Sequence, residues 1–300
     1  MRLRLAVFTK NLTNPAYGAA RLGAERAAAA LGAEVLHFVP KKGDDPQEQI
    51  ELVDQALALL PRPDAFVFSP VHASKVDAAV RRIAAAGIPM VGFVNPIDAA
   101  TMVSYVSSDD YRLALAIANY LFSHLQGHGQ VLIVTGPVDS VTSLARLRGF
   151  RDAASQHPGI TITGVIAGDY VRDLARERTA QWLQANPGPQ ACLVANDIMA
   201  IGVLDALDAA GHKAAVVGVN AIPQAVAAIA AGRMLATADF NAMQIACLAA
   251  ECAVRHLRGE EVPVTIELPV QIVDGGNYRQ WDQPYAQRPV ITLEKLRSKT

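Results

Sequence analysis

Residues 2–39 read RLRLAVFTKNLTNPAYGAARLGAERAAAALGAEVLHFV, and the way this stretch divides decides the fold. The run Leu5-Ala6-Val7-Phe8 is apolar without alternation, as in a strand covered on both faces. A polar loop follows, Lys10-Asn11-Leu12-Thr13-Asn14, and Pro15 then opens an alanine-rich stretch that lasts to about Gly32. Asparagine followed by proline is a helix entry: the amide caps, and the proline occupies a position whose N–H has no helical partner. Glu34-Val35-Leu36 starts a second apolar run. Two strands joined through a helix are parallel neighbours reached by a right-handed crossover.

The same unit recurs to the end of the chain. Strands are predicted at 3–8, 34–39, 65–68, 89–94, 103–106, 130–134, 161–166, 191–194, 215–219 and 235–238. Helices are predicted near 16–31, 46–60, 73–86, 110–126, 141–156, 171–185, 198–210, 222–231 and 242–257. The architecture is therefore α/β, with doubly wound parallel (Rossmann-like) sheets. A weak internal echo divides it in two. Ile133-Val134 leads through 136–143 into Ala145-Arg146-Leu147-Arg148-Gly149 and the strand Thr161-Ile162-Thr163, much as Val7-Phe8 leads into Ala20-Arg21-Leu22-Gly23. Three hundred residues exceed one hydrophobic core and suit two domains of roughly 100–150 residues.

Composition removes several functions. With 27 basic and 28 acidic side chains, the chain has no general attraction for nucleic acid or anionic lipid. No stretch reaches the length of a membrane span; the richest, 241–253, is broken by Gln244 and Glu251. Cys192, Cys247 and Cys252 lie in apolar surroundings and read as buried thiols. No secretory leader precedes the first strand, so the expectation is either a mature exported chain with an added Met1 or, if Met1 is the native start, a cytoplasmic protein. The motifs G-x-G-x-x-G, the P-loop, G-x-S-x-G, H-E-x-x-H and C-x-x-C are missing, so no catalysis, metal or cofactor is expected. His124 and His128 share helical spacing, but Gly127 between them ends the helix.

In doubly wound sheets ligands bind beyond the carboxyl ends of the strands, and polar side chains collect there. The first loop offers Lys10, Asn14 and, one turn into the helix, Tyr17. The second is Ser69-Pro70-Val71-His72, and the third Val94-Asn95-Pro96. In the second half, Arg146 stands in the first turns of a helix, where its charge opposes the dipole and calls for something electronegative nearby. Tyr170, Asn196 and Asn220 end three further strands. Each of these positions also has a local reading: Asn14 and Asn196 as helix caps, Asn95 and Asn220 as turn formers, His72 as a surface or capping group.

Taken in order, Asn14-Pro15, Gly87-Ile88-Pro89, Ser108-Asp109, Arg146-Leu147-Arg148-Gly149-Phe150, Ala195-Asn196-Asp197 with Ala200-Ile201-Gly202, and Val217-Gly218-Val219-Asn220 resemble the ribose-binding-protein-like type I periplasmic solute-binding proteins. They also resemble the related sensor cores of LacI-type repressors. The resemblance spans Leu3 to about Val273. It implies two lobes joined by a three-crossover hinge, 1–107 plus 242–265 and 108–241 plus 266–275, with 276–300 as a tail on the surface. It implies a monomer that closes over a small polar ligand, with Asn14, Tyr17 and Asn95 from the first lobe, Arg146, Tyr170, Asn196 and Asn220 from the second, and Phe240 or Asn241 from a hinge strand. An ABC transporter permease, and also a chemotaxis receptor, are the implied partners, in the periplasm.

Three departures bear on the ligand. Val94-Asn95 stands where sugar binders of this family commonly carry Asp-Arg, Asn220 where they carry Asp, and Ala16 where they carry an aromatic. Without those carboxylates Arg146 is expected to lack a counter-charge, leaving a neutral to positive pocket. A sugar, polyol or cyclitol is the first expectation; a sugar acid or other small carboxylate is the alternative. The effector-binding half of a LacI-type regulator is the other, although no helix-turn-helix precedes the first strand.

Overall fold

The computed structural model of the protein describes residues 2–297. In chain order its elements are β1 (Arg4–Phe8), α1 (Pro15–Ala30), β2 (Glu34–Phe38), α2 (Pro46–Ala58), β3 (Ala65–Phe68), α3 (Asp77–Ala85), β4 (Met90–Phe93), β5 (Ser104–Ser108), α4 (Asp110–His124), β6 (His128–Thr135), α5 (Val141–Ser155) and β7 (Gly159–Ala167). They continue with α6 (Arg172–Ala185), β8 (Ala191–Val194), α7 (Asp197–Ala209), β9 (Ala215–Val219), α8 (Pro223–Ala230), β10 (Ala236–Asp239), α9 (Ala242–Leu257), β11 (Thr265–Leu268), β12 (Gln271–Asp274) and α10 (Leu293–Arg297).

The elements form two compact units. The first unit holds the chain up to Ser108, then Asn241–Leu268 and the segment from Tyr285 on; the second holds Asp109–Phe240 and Pro269–Pro284. The sheet of the first unit runs β11-β5-β4-β3-β1-β2, and every neighbouring pair is parallel. That of the second runs β12-β10-β9-β8-β6-β7, with β12 antiparallel to β10 and the other pairs parallel. In each sheet the order reverses beside the first strand, between β1 and β3 and between β6 and β8. Those are the switch points, outside whose carboxyl ends a crevice opens.

Core composition explains why these runs are strands. β1 beyond Arg4, and all of β3, β4 and β8, are buried on both faces, which is what helices on two sides demand. Phe8 stacks on Phe38 at 4.8 Å and on Phe66 at 5.5 Å, and meets Phe68 at 5.0 Å. Asn14 caps α1 through its side chain and is followed by the predicted Pro15, and Asp45 caps α2 in the same way ahead of Pro46. Helix α3 starts at Asp77 rather than 73, because residues 69–76 form a turn closed by side-chain hydrogen bonds.

β11 and β12 were not among the predicted strands, since four residues with one alternation are too short to register as a period. They change the connectivity: 266–268 pair with β5 in the first unit, and the chain then passes to the second. The region beyond 275 divides too. Trp281 donates to Asp239 Oδ2 (2.7 Å) in the second unit, whereas Arg26 donates to the Arg288 carbonyl (2.6 Å) and Gln244 to that of Pro289 (2.7 Å) in the first. In this division the chain passes between the units after Ser108, Phe240, Leu268 and Pro284. The three cysteines are free and buried. Among the described residues no helix is long and apolar enough to cross a membrane.

Candidate functional site

In the first unit, the loop after β1 is pinned by ion pairing and amides. Lys10, only 2% exposed, places Nζ 3.1 Å from Asp44 Oδ1, and Asn11 Nδ2 donates to Asp44 Oδ2 at 2.9 Å. The Asp44 amide returns a hydrogen bond to the Lys10 carbonyl (3.0 Å), so the loops after β1 and β2 form one structure. Asn14 accepts from the Ala16 amide (3.0 Å) as the cap of α1, and its Nδ2 donates to no described group. Tyr17 is buried one turn further on.

The loops after β3 and β4 are joined by Asn95. Its Nδ2 donates to the Pro70 carbonyl at 2.8 Å; because a carbonyl can only accept, the nitrogen must face it and Oδ1 must face away. That Oδ1 is buried and has no hydrogen-bond partner. The backbone holds the amide there under strain. Val94 sits at φ +68°, and the Asn95 amide donates back to the Phe93 carbonyl (2.9 Å), which makes a γ-turn of the rarer hand, on a β-branched residue. The Tyr105 hydroxyl fixes the turn by donating to the Val94 carbonyl at 2.7 Å. His72 instead uses Nδ1 to accept the Ser74 and Lys75 amides (3.1 and 3.2 Å), and so closes its own turn. Buried Gln49 bridges Ser69 O and Val71 N in the same turn.

The second unit gathers its residues more tightly. Arg146 is 4% exposed; Nε donates to Asp110 Oδ1 at 2.7 Å, Nη1 to the Ala195 carbonyl at 2.5 Å, and the guanidinium lies 5.4 Å from the centre of the Phe240 ring. The expectation of an arginine without a counter-charge is therefore corrected: Asp110, itself almost buried, supplies it. Next along the chain, Asn196 Oδ1 caps α7 by accepting from the Met199 amide (2.9 Å), and its Nδ2 donates to no described group. Met199 Sδ in turn lies 3.3 Å from the Tyr170 amide.

Tyr170 follows Asp169 in the left-handed region, at φ +61° and +51°. Two such residues in succession are costly without glycine, and they turn the tyrosine ring onto Gly136, where any Cβ would collide with it. The Tyr170 hydroxyl is 3.0 Å from Thr142 Oγ1, which is 3.0 Å from Ser140 Oγ. Asn220, at φ +124° and 7% exposed, ends β9. Its side-chain amide makes no hydrogen bond to any described residue. The adjoining turn is held from beneath by Asp197, fully buried, whose carboxyl is pushed up to about 7 by desolvation against the opposing pull of Thr237, the Ile222 amide and Arg146.

Arg146 thus meets Phe240 and the Ala195 carbonyl, Met199 links Asn196 to Tyr170, and Asn220 ends β9, the neighbour of β8; in the first unit Asn95 follows β4 and Asn14 closes the loop after β1. Lys10 and His72 serve their own loops. Asn241, at φ +58°, is the residue before α9. The residues that order these faces, Asp44, Gln49, Asp110, Asp197 and Thr237, have no local signature, because each acts on a partner distant in the chain.

Two α/β units, each with polar side chains collected at the carboxyl ends of parallel strands near a switch point, define a binding protein built from paired doubly wound domains. Residues 5–261 match the periplasmic binding protein domain family, and the chain belongs to that family. It is 27% identical over 280 residues to the D-allose-binding periplasmic protein of Escherichia coli (strain K12), covering 90% of this chain and 89% of that protein. An ABC transporter periplasmic solute binding protein from Actinobacillus succinogenes 130z with bound D-allose matches with a TM-score of 0.87 at 25% identity, over 93% of this chain and 99% of that one. A Caulobacter myo-inositol binding protein bound to myo-inositol matches with a TM-score of 0.84 at 25% identity, over 93% and 95%. Like these relatives, the chain is a binding protein and not an enzyme.

Proposed function

We propose that this protein is the solute receptor of an ABC-type importer, acting in the periplasm on a neutral, hydroxyl-rich small molecule: an aldose, a polyol or a cyclitol. Asn14, Tyr17 and Asn95 of the first unit and Arg146, Tyr170, Asn196, Asn220 and Phe240 of the second are the groups assigned to it. A ligand bonded by both units favours the state in which both reach it, and shifts the population by that difference in affinity. A membrane permease then reads the liganded state.

The observation that carries this reading is the unfilled amide capacity at the strand ends. Asn95 Oδ1 is a buried acceptor with no donor, a state that costs about 1–3 kcal/mol, and the side-chain amide of Asn220, on a residue 7% exposed, has no partner among the described residues. Vicinal hydroxyls, each both donor and acceptor, fill such groups in pairs. Charge supports a neutral ligand as well, since Arg146 and Lys10 are both paired with carboxylates. The relatives named above bind D-allose and myo-inositol.

A thermal-shift screen followed by calorimetry tests the reading with D-allose, D-ribose, xylitol and myo-inositol beside D-ribonate. Binding of a neutral member with micromolar or tighter Kd is expected. Preferential binding of the acid, or turnover of any bound compound, would overturn it.

A further inference from the structure

We infer that Asp197 and Thr237 form a buried clamp that holds the β9–α8 turn, making Asp197 a positioning residue for ligand recognition by Asn220. The inference rests on the sugar reading above for the role of Asn220, and on the second unit alone for the clamp.

Asn220 and Ala221 are consecutive residues at positive φ, +124° and +51°. Neither is glycine, and each such residue costs about 1–3 kcal/mol unless its surroundings over-determine it. Three hydrogen bonds do so. The Asn220 amide donates to the Ala238 carbonyl (2.8 Å), the Ala221 amide to Thr237 Oγ1 (3.3 Å), and the Ile222 amide to Asp197 Oδ2 (3.0 Å). The Thr237 hydroxyl donates to Asp197 Oδ1 at 2.7 Å, so the last two anchors are one unit. Both are 0% exposed.

Helix α7 is already capped by Asn196, so the carboxyl is not needed to start that helix. Burying it is costly, and its two oxygens are used on the Ile222 amide and the Thr237 hydroxyl. The sheet also makes room for it. Gly218 faces Thr237 across β9 and β10, and a Cβ there would run into Asp197 Oδ1. What the clamp fixes is the backbone of Asn220, whose side-chain amide has no hydrogen bond among the described residues. The charged groups acting on Asp197 are Arg146 and Asp239, and Asp239 is engaged by Trp281 Nε1 at 2.7 Å.

Thr237→Val removes the hydroxyl with little change of volume, Asp197→Ala removes both carboxyl anchors without crowding the site, and Thr237→Ser keeps the hydroxyl. Without ligand, amide hydrogen exchange at Ala221 and Ile222 is expected to accelerate at least tenfold in the first two variants while β8 and β9 stay protected, and to return towards wild type in Thr237→Ser. Titrated with whichever of D-allose, D-ribose, xylitol and myo-inositol the wild type binds, Kd is expected to weaken tenfold or more in Thr237→Val. The additional loss from Asn220→Gly in that background should then be smaller than in the wild type. Unchanged exchange at Ala221 and Ile222, or accelerated exchange with unchanged Kd, would overturn the clamp. A wild type that binds none of the four compounds would sink the proposed ligand class instead, and the exchange rates still decide the clamp.

Discussion

Replacing Asn220 by glycine should move affinity and stability in opposite directions. The side chain makes no hydrogen bond within the described protein, so its removal breaks no internal contact of that kind. The backbone at φ +124° is one that glycine adopts freely and asparagine does not. Relief of that strain contributes about 1–3 kcal/mol, offset by about 0.5–1 kcal/mol for the greater entropy of glycine in the unfolded chain. The apo protein should therefore be more stable by about 0–2.5 kcal/mol, a rise of up to several degrees in Tm by calorimetry. Binding loses an amide that engages two hydroxyl positions at about 0.5–1.5 kcal/mol each, or about 5- to 150-fold in Kd by isothermal titration. By contrast Asn196→Ala removes the cap of α7, and should lower Tm and affinity together, the cap alone costing about 1 kcal/mol. An Asn220→Gly variant with lower apo Tm and unaltered Kd would refute the assignment of that amide to the ligand.

Further outcomes follow from the same contacts. Asn95→Leu removes the acceptor whose donor has to come from the ligand, and calorimetry should show a loss of tenfold or more in affinity, accompanied by a smaller loss of Tm because the Pro70 carbonyl gives up its donor. Because Arg146 and Lys10 are neutralised within their own units, Kd for a neutral sugar should change less than twofold between 20 and 200 mM salt, and D-ribonate should bind at least tenfold more weakly than D-ribose. Asp197 contributes a pH dependence of its own. Its carboxyl releases a proton near 3.8 in the unfolded chain and at about 7 in the folded one, so between those values the folded state holds more protons and stability falls as pH rises, levelling above 7. The full span is worth roughly 4 kcal/mol at most. Denaturant titrations across that window should lose this component of the slope in Asp197→Asn.

Much of the fold was legible because its signals are local. An apolar run without alternation and an Asn-Pro helix entry each occupy a few adjacent residues, and both survive in β1 and α1 as read. What failed was either short or relational. β11 and β12 carry four residues each and owe their strand character to β5 and β10, partners that no window of sequence contains. The region beyond 275 reads as aperiodic for the same reason: its order comes from Arg26, Gln244 and Asp239, all far away in the chain.

The same distinction governs the site, with a sharper consequence. Residue type placed amides and aromatics at strand ends, but what an amide can offer a ligand depends on how much of its hydrogen-bonding capacity the protein has already taken. Asn14 and Asn196 each have their oxygen engaged in a cap, Asn95 has its nitrogen engaged by Pro70, and Asn220 has neither atom engaged. The sequence shows four equivalent asparagines; the fold makes them a donor, a donor, an acceptor and a two-way group. Arg146 was misjudged for the same reason, since its counter-charge comes from Asp110, 36 residues before it and on another helix. Once that pair is recognised, the premise that favoured an acidic ligand disappears. What remains is a set of neutral groups of complementary polarity, a demand that a polyhydroxylated ring or chain meets and a carboxylate, which only accepts, does not.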